Sequence, residues 1–174
     1  MKNFKYTLLL LFLSLQYVGA QTQFAKDFSP FFKKSFELTL NVAEAMPEEQ
    51  YSFKPEEGAM TFGEQLIHCT YVADAVVDIF LKGNSDRKFE APDAKTMTKS
   101  EIIAAIKGFQ TNAVAILNEL TEEQLAESVN LFGQIDTFKK EAIYFVRDHI
   151  TNHRAKANLY VRISGNKPAA YGFF

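Results

Sequence analysis

Cysteine is almost absent from this sequence of 174 residues, which contains only Cys69. A single cysteine cannot form an intramolecular disulfide, so the stability of the fold must come from packing. Basic residues are not in excess either, with 19 Lys and Arg against 21 Asp and Glu. Because no surplus of positive charge is available to neutralise phosphates, nucleic acid is excluded as an expected partner.

Long apolar runs are lacking beyond the first twenty residues. That segment has a basic start with Lys2 and Lys5, an apolar stretch over residues 8–15, and small residues up to Ala20. This pattern is typical of a secretory signal peptide, and the stretch is shorter than the roughly 20 residues of a membrane span. We therefore predict a signal peptide over residues 1–20, export to the periplasm or the medium, and no membrane association after cleavage. An uncleaved membrane anchor is the alternative interpretation.

The remaining chain, residues 21–174, is predicted to be one domain. Since Lys2 and Lys5 are removed with the signal, its formal net charge changes from −2 to −4. No segment alternates apolar and polar residues over a useful length, so strands are not expected. Apolar residues instead recur at steps of three and four in four segments. The predicted helices begin at Ser29-Pro30, at Thr61 and Thr98 (each in a capping box with a Glu three residues later), and near Asp136-Thr137.

Four amphipathic helices in a domain of this size predict an all-α fold, a four-helix bundle. Pro47 is expected to end the first helix and Gly83 the second. The connections between the helices are unequal in length, which predicts at least one long crossover connection rather than a simple up-and-down series.

Histidine is also scarce, and the three that are present have an informative spacing. His149 and His153 stand four residues apart on the predicted fourth helix, so both imidazoles project from one face, roughly 6 Å apart along the axis. They continue the apolar stripe between Phe145 and Ala157, and they are therefore expected to point into the bundle. His68 lies at the edge of the apolar face of the second helix.

One shared metal ion would account for three inward-facing imidazoles. Neutral imidazole is a common metal ligand, and helical bundles form such sites from side chains on facing helices. The alternative is that each histidine is an ordinary core residue with its own hydrogen bond. The zinc-protease motif is absent, since Ile150 stands where that motif has Glu. No Gly-rich phosphate loop and no G-x-S-x-G elbow occur, and no general base is identified.

Three further side chains near the histidines are candidates for supporting roles. Cys69 follows His68, but adjacent helix positions diverge by about 100°, so we expect a core residue rather than a ligand. Glu64 and Asp148 are candidate acceptors for imidazole N–H groups, with a solvated helix charge as the alternative for each.

Several stretches of the chain together resemble the DinB/YfiT-like family of metalloenzymes. They are Thr61-Phe-Gly-Glu-Gln-Leu-Ile-His68, His149-Ile-Thr-Asn-His153-Arg154, Leu159-Tyr-Val-Arg162-Ile-Ser-Gly165 and the loop Met46-Pro-Glu-Glu-Gln-Tyr-Ser-Phe-Lys-Pro-Glu-Glu-Gly58. The resemblance extends over about residues 28–172. It implies a four-helix bundle in which a divalent metal ion is held by three histidines, one on the second helix and two on the fourth, which correspond to His68, His149 and His153.

The resemblance also implies a function. Characterised relatives include thiol-dependent transferases and a mycothiol-dependent isomerase, so the expectation is a metal-dependent enzyme, either a hydrolase or a thiol or group transferase acting on a small molecule. Zinc or nickel suits three imidazole ligands. Dimers are common in the family, which makes a homodimer the expected assembly. The alternative function is a non-catalytic bundle that binds a metal ion or a small ligand.

Overall fold

The structure is a computed structural model that describes residues 21–170 and 172. The predicted signal peptide lies outside the described residues. The described part of the chain contains four long helices: α1 (Gln23–Ala45), α2 (Phe62–Val76), α3 (Lys99–Glu119) and α4 (Lys139–Ile163). A π-helical segment, Val77–Lys82, continues α2, and a single helical turn, Glu122–Leu125, follows α3. None of the described helices is both long enough and apolar enough to cross a membrane.

The helices pack as a four-helix bundle with crossed connections. Helix α2 packs against α3 and α4, and α1 packs against the same two helices, so α1 and α2 occupy opposite corners. The chain thus crosses the bundle on passing from α1 to α2 and again on passing from α3 to α4. This arrangement confirms the predicted four-helix bundle and its crossover connection.

Helix α1 begins earlier than the sequence pattern predicts. The predicted start at Ser29-Pro30 is wrong, because the helix starts at Gln23 and contains Pro30 in its interior. Thr22 caps the helix, and its side-chain oxygen accepts a hydrogen bond from the backbone N–H of Ala25 at 3.0 Å.

Aromatic packing explains the two additional turns of α1. The rings of Phe24 and Phe28 stack with centroids 5.3 Å apart, and both contact the edge of Tyr144 on α4, at 5.9 and 5.2 Å. Burying these rings stabilises the added turns, whereas Pro30 removes one backbone donor and crowds the preceding turn. The packing therefore outweighs the cost of an interior proline.

The predicted ends of α2 and the start of α3 are confirmed. The Thr61 side chain accepts a hydrogen bond from the Glu64 backbone at 3.2 Å, and the Glu64 carboxylate accepts one from the Thr61 backbone at 2.7 Å. The same reciprocal pair forms between Thr98 and Glu101. After α2 and its π-helical continuation, Gly83 adopts a left-handed conformation with φ 86°, which a residue without Cβ adopts at little cost.

A hairpin precedes α4, and here the expectation of no strands is wrong. Strands β1 (Ser128–Leu131) and β2 (Ile135–Phe138) pair antiparallel, with Leu131 opposite Ile135. Asp136 and Thr137, the predicted start of the last helix, lie in β2, and α4 begins at Lys139. Strands of four residues are too short to show a convincing alternation, and the turn between them uses Phe132 at φ 59° in place of the usual Asn or Asp.

Arg87 forms two buried ion pairs between the bundle and the long connection from α2 to α3. The guanidinium of Arg87 contacts Asp74 at 2.6 Å and Asp78 at 2.9 Å, and Asn112 on α3 donates to Asp74 at 2.6 Å. Burial raises the pKa of Asp74, while its bonds to Arg87 and Asn112 act in the opposite direction. The loop is therefore held by a cluster of paired charges rather than by apolar packing alone.

Candidate metal centre

The three histidines lie together between α2 and α4. The ring centroids of His68 and His153 are 4.6 Å apart, those of His149 and His153 4.5 Å, and those of His68 and His149 5.1 Å. One ring nitrogen from each histidine lies within 4.8 Å of the other two. Helix periodicity brings the α4 pair to one face, and packing against α2 adds the third imidazole.

The cluster is half-buried rather than deep in the core. His149 and His153 line a depression of about 260 Å³ together with Phe145, Asn152 and Lys156. The sequence pattern predicts an inward stripe that continues from Phe145 through these histidines, but Phe145 is 38% exposed. The buried face of α4 is centred instead on the branched residues Ile143, Val146 and Ile150. The histidines therefore lie at the border of that face, where solvent and small molecules have access.

All three imidazoles are held in the neutral form. The pKa of His149 is lowered to about 4, first by burial and then by the neighbouring His153, His68 and the ammonium of Lys156. The pKa of His153 is lowered to about 4, first by burial and then by His68 and Lys156. Burial and Lys156 also lower the pKa of His68. Neutral imidazole has a free lone pair on one nitrogen, which is the form that binds metal ions.

Two observations on the ring nitrogens fit a metal ion at this site. The Nε2 atom of His149 is buried and has no hydrogen-bond partner among the described residues, although buried polar atoms are nearly always paired. The Nδ1 atom of His153 lies 2.7 Å from the side-chain oxygen of Gln65, the kind of contact that orients metal-binding histidines in other proteins. Both observations are therefore consistent with a divalent ion bound by imidazole nitrogens.

The sequence pattern indicates Glu64 and Asp148, and not Gln65, as candidate acceptors for the imidazole N–H groups. Glu64 caps α2 and pairs with Lys95 at 3.2 Å, so it does not serve the imidazoles. The side chain of Asp148 lines the depression but is 78% exposed. The available signal for Gln65 was its position three residues before His68, which places both side chains on one side of α2.

Cys69 is fully buried, as the sequence analysis predicts. Its Sγ donates to the backbone oxygen of Leu66 at 3.4 Å. Burial raises the pKa of its thiol to about 12, so the thiolate needed for metal binding is strongly disfavoured. Within the described residues, the cluster of candidate ligands therefore consists of the three histidines.

The fold and the site together define a crossed four-helix bundle with three neutral histidines at the border between two helices. The family model of the DinB superfamily matches residues 32–157, and the chain belongs to that family. This match confirms the family resemblance drawn from the sequence motifs.

Individual relatives are similar to most of the chain. The uncharacterized protein YjoA of Bacillus subtilis (strain 168) is 29% identical over 132 residues, which cover 74% of this chain and 83% of the relative. The crystal structure of a DinB-like protein, YjoA from Bacillus subtilis, superposes with a TM-score of 0.69 at 23% identity and covers 83% of this chain and 96% of that chain.

Two other solved structures show the same fold. A DinB-like protein from Bacillus cereus has a TM-score of 0.68 at 17% identity, covering 85% of this chain and 97% of that chain. YfiT from Bacillus subtilis has a TM-score of 0.64 at 16% identity, covering 85% and 91%. YfiT is described as a probable metal-dependent hydrolase with an unusual four-helix bundle topology.

Proposed function

We propose that His68, His149 and His153 bind one divalent metal ion, with zinc or nickel as the ion. The observation that carries this proposal is the convergence of three neutral imidazoles from two helices. Those of His149 and His153 line a depression open to solvent. Structural zinc sites use four protein ligands, whereas catalytic sites use three and leave a position for water or substrate. A set of three histidines therefore favours a catalytic site.

We further propose that the protein is a metal-dependent hydrolase acting on a small molecule. A divalent ion with an open position supplies Lewis acidity toward water or a substrate oxygen. Phe145, whose ring centroid is 6.3 Å from that of His149, provides an apolar wall, and Lys156 adds a positive charge to the depression. Because the Asp148 carboxylate lines the same depression and offsets this charge, the lining favours a small substrate with an apolar part and selects no sign of charge. The description of YfiT as a probable metal-dependent hydrolase agrees with this class.

Metal content tests the ligand assignment. Elemental analysis of protein purified without chelators is expected to give one ion per chain, and each substitution His68→Ala, His149→Ala or His153→Ala should remove most of it. Cys69→Ser is the control, and it should leave the metal content unchanged because the thiol is not a ligand. Full occupancy in the double variant His149→Ala/His153→Ala would contradict the assignment.

An activity screen tests the reaction class. Protein reconstituted with zinc or nickel should hydrolyse at least one ester or amide in a panel that also contains thiol-transfer substrates, and chelation should abolish that activity. Turnover only with thiol substrates would favour the transferase class. Stoichiometric metal with no turnover of any substrate would favour the non-catalytic binding bundle.

We also propose that the protein is exported after cleavage at Ala20, on the basis of the basic, apolar and small-residue pattern of residues 1–20. Sequencing of the mature protein from its native host should give Gln21 as the first residue. A protein that retains residues 1–20 in the membrane fraction would support the anchor interpretation instead.

A further inference from the structure

We infer that Gln65 is a positioning residue that fixes His153 in its Nδ1–H tautomer and so directs the Nε2 lone pair of that ring toward the metal. The consequence for the metal rests on the proposed function, whereas the tautomer itself does not. The inference begins from the 2.7 Å contact between Gln65 Oε1 and His153 Nδ1, which joins α2 to α4.

The direction of this hydrogen bond follows from the chemistry of the two groups. An amide oxygen only accepts, so the Nδ1 atom of His153 must carry the proton. A neutral imidazole has one N–H, and its Nε2 atom is then left with a free lone pair. If the amide were rotated by half a turn, its NH2 group would donate to Nδ1 and the proton would move to Nε2, where it would block metal binding.

The structure places the Gln65 amide in the first of these two orientations, with its Oε1 atom toward His153. Its side-chain nitrogen points to the hydroxyl of Tyr160, 3.5 Å away, which serves as the acceptor. Gln65 is 5% exposed and Tyr160 6% exposed, so water cannot readily replace either partner and the Tyr160 hydroxyl anchors the far end of the amide. Helix α2 thus supplies both a proposed ligand, His68, and the side chain that orients a ligand of α4.

An amide in this position orients the ring without adding charge. A carboxylate in the same place would draw the Nδ1 proton more strongly and make the ring a stronger donor to the metal. Gln65 therefore sets the geometry of His153 while it leaves the electrophilic character of a bound ion largely undiminished. Loss of such an orienting partner typically costs about 10- to 100-fold in metal affinity.

The tautomer is measured on the metal-free protein by ¹⁵N NMR of the imidazole nitrogens at neutral pH. The wild type should show the Nδ1–H form of His153. The variant Gln65→Leu should lose this preference, and Gln65→Glu, which keeps an acceptor, should retain it. Thr70→Val is the matched control, because Thr70 is a buried polar residue of α2 that donates to Leu66 and not to a histidine. An Nε2–H form in the wild type, or an unchanged tautomer in Gln65→Leu, would overturn the inference.

Zinc affinity is measured on the same variants by competition with a chromophoric chelator. We expect binding to Gln65→Leu to be 10- to 100-fold weaker than to the wild type. Binding to Thr70→Val should stay close to the wild type, and binding to Gln65→Glu should be at least as tight, because a carboxylate makes the ring a stronger donor to the metal. If the tautomer changes but zinc affinity does not, the positioning role fails. If the wild type binds no zinc or nickel, the proposed function fails, and the NMR result still decides the tautomer.

A milder variant covers the case in which Gln65→Leu does not fold. Tyr160→Phe removes only the acceptor of the Gln65 amide nitrogen. It should give a mixture of His153 tautomers and a smaller loss of zinc affinity than Gln65→Leu. A Tyr160→Phe protein with the wild-type tautomer and affinity would show that the orientation of Gln65 is not set through Tyr160, and would overturn that step.

Discussion

In the metal-free protein, burial and mutual proximity of the three histidines disfavour the protonated form of each imidazole in the folded state. In the unfolded chain each imidazole has a pKa near 6.5, whereas in the folded chain His149 and His153 have pKa values lowered to about 4. The folded state thus takes up these protons at a pH about 2.5 units lower than the unfolded state does, which is the difference between 6.5 and 4. The free energy of unfolding must depend on pH wherever the two states bind different numbers of protons.

The sign of this dependence gives the first prediction. Above about pH 6.5 both states hold neutral histidines and the two rings have no effect on stability. As pH falls from there to about 4, the unfolded state alone is protonated, so the metal-free protein should lose stability; below that range this contribution should stay constant. Urea unfolding at several pH values measures the effect.

The double variant His149→Gln/His153→Gln is the control for this pH dependence, since glutamine does not titrate. Its stability should fall less between pH 6.5 and 4 than that of the wild type. Equal losses in the two proteins would mean that other groups cause the acid sensitivity.

At the residue scale the sequence predicts the cluster better than its supporting contacts. Spacing places His149 and His153 on one face, whereas the addition of His68 depends on the family resemblance, because the sequence pattern alone does not show that the second and fourth helices are neighbours. Gln65 could not be predicted in the same way, because its role depends on how far α4 is shifted along α2, and helical periodicity carries no information on that shift. The exposure of Phe145 has the same origin, since the choice of buried face depends on which neighbours α4 meets.

At the scale of the elements, local capping signals are reliable and tertiary packing overrides them in two places. The boxes at Thr61 and Thr98 form as the sequence predicts, because each involves contacts within four residues. The signal at Ser29-Pro30 fails because the aromatic rings before it find a partner on α4, which the local sequence does not reveal. The hairpin has no clear sequence signal, because each strand is only four residues long and is stabilised by pairing with the other strand.

The second prediction uses the position of Pro30. Because Pro30 lies inside α1, Pro30→Ala should restore a backbone hydrogen bond and raise the free energy of unfolding, by up to about 3 kcal/mol. Thr22→Ala should lower it by about 1 kcal/mol through loss of the cap. Chemical denaturation measures both. A helix that began at Pro30 would give the opposite result: Pro30→Ala would be destabilising and Thr22→Ala neutral.

The third prediction concerns the charge cluster that attaches the loop between α2 and α3. Arg87→Leu should lower the free energy of unfolding by about 3–5 kcal/mol, because it leaves Asp74 and Asp78 buried without their cation. Lys82→Leu is the matched control, since Lys82 contacts Glu119 at 3.7 Å on the surface and such pairs contribute about 1 kcal/mol or less. Equal effects of the two variants in urea unfolding would contradict this account of the loop.

At the scale of the whole molecule, the bundle has a core that does not depend on the histidines. Large apolar side chains from all four helices are fully buried, among them Phe32, Phe36, Phe62, Ile102, Ile106, Leu117 and Ile150. The all-α class and the crossed connections were predictable from helix number and unequal connection lengths. Which helices are neighbours was not, since that depends on contacts between distant segments.

This core leads to the fourth prediction, on removal of metal. Chelated protein should keep its helical circular dichroism, because packing alone holds the bundle together. Its melting temperature should fall by roughly 5–10 °C relative to protein with free zinc at 100 times the Kd, the shift expected from about 2.7 kcal/mol of linked binding energy. Unfolding on mild chelation would identify the ion as structural and would argue against an enzyme.

The diagonal placement of α1 and α2 has a consequence for the order in which the fold can assemble. Helices α1 and α2 are consecutive but are not expected to form a stable helical hairpin on their own, because each packs mainly on α3 and α4. Most contacts of α1 therefore join residues separated by more than fifty positions, so the relative contact order is high for a helical protein and folding should be slower than in an up-and-down bundle. Until α3 and α4 are available, the apolar faces of the N-terminal half stay exposed.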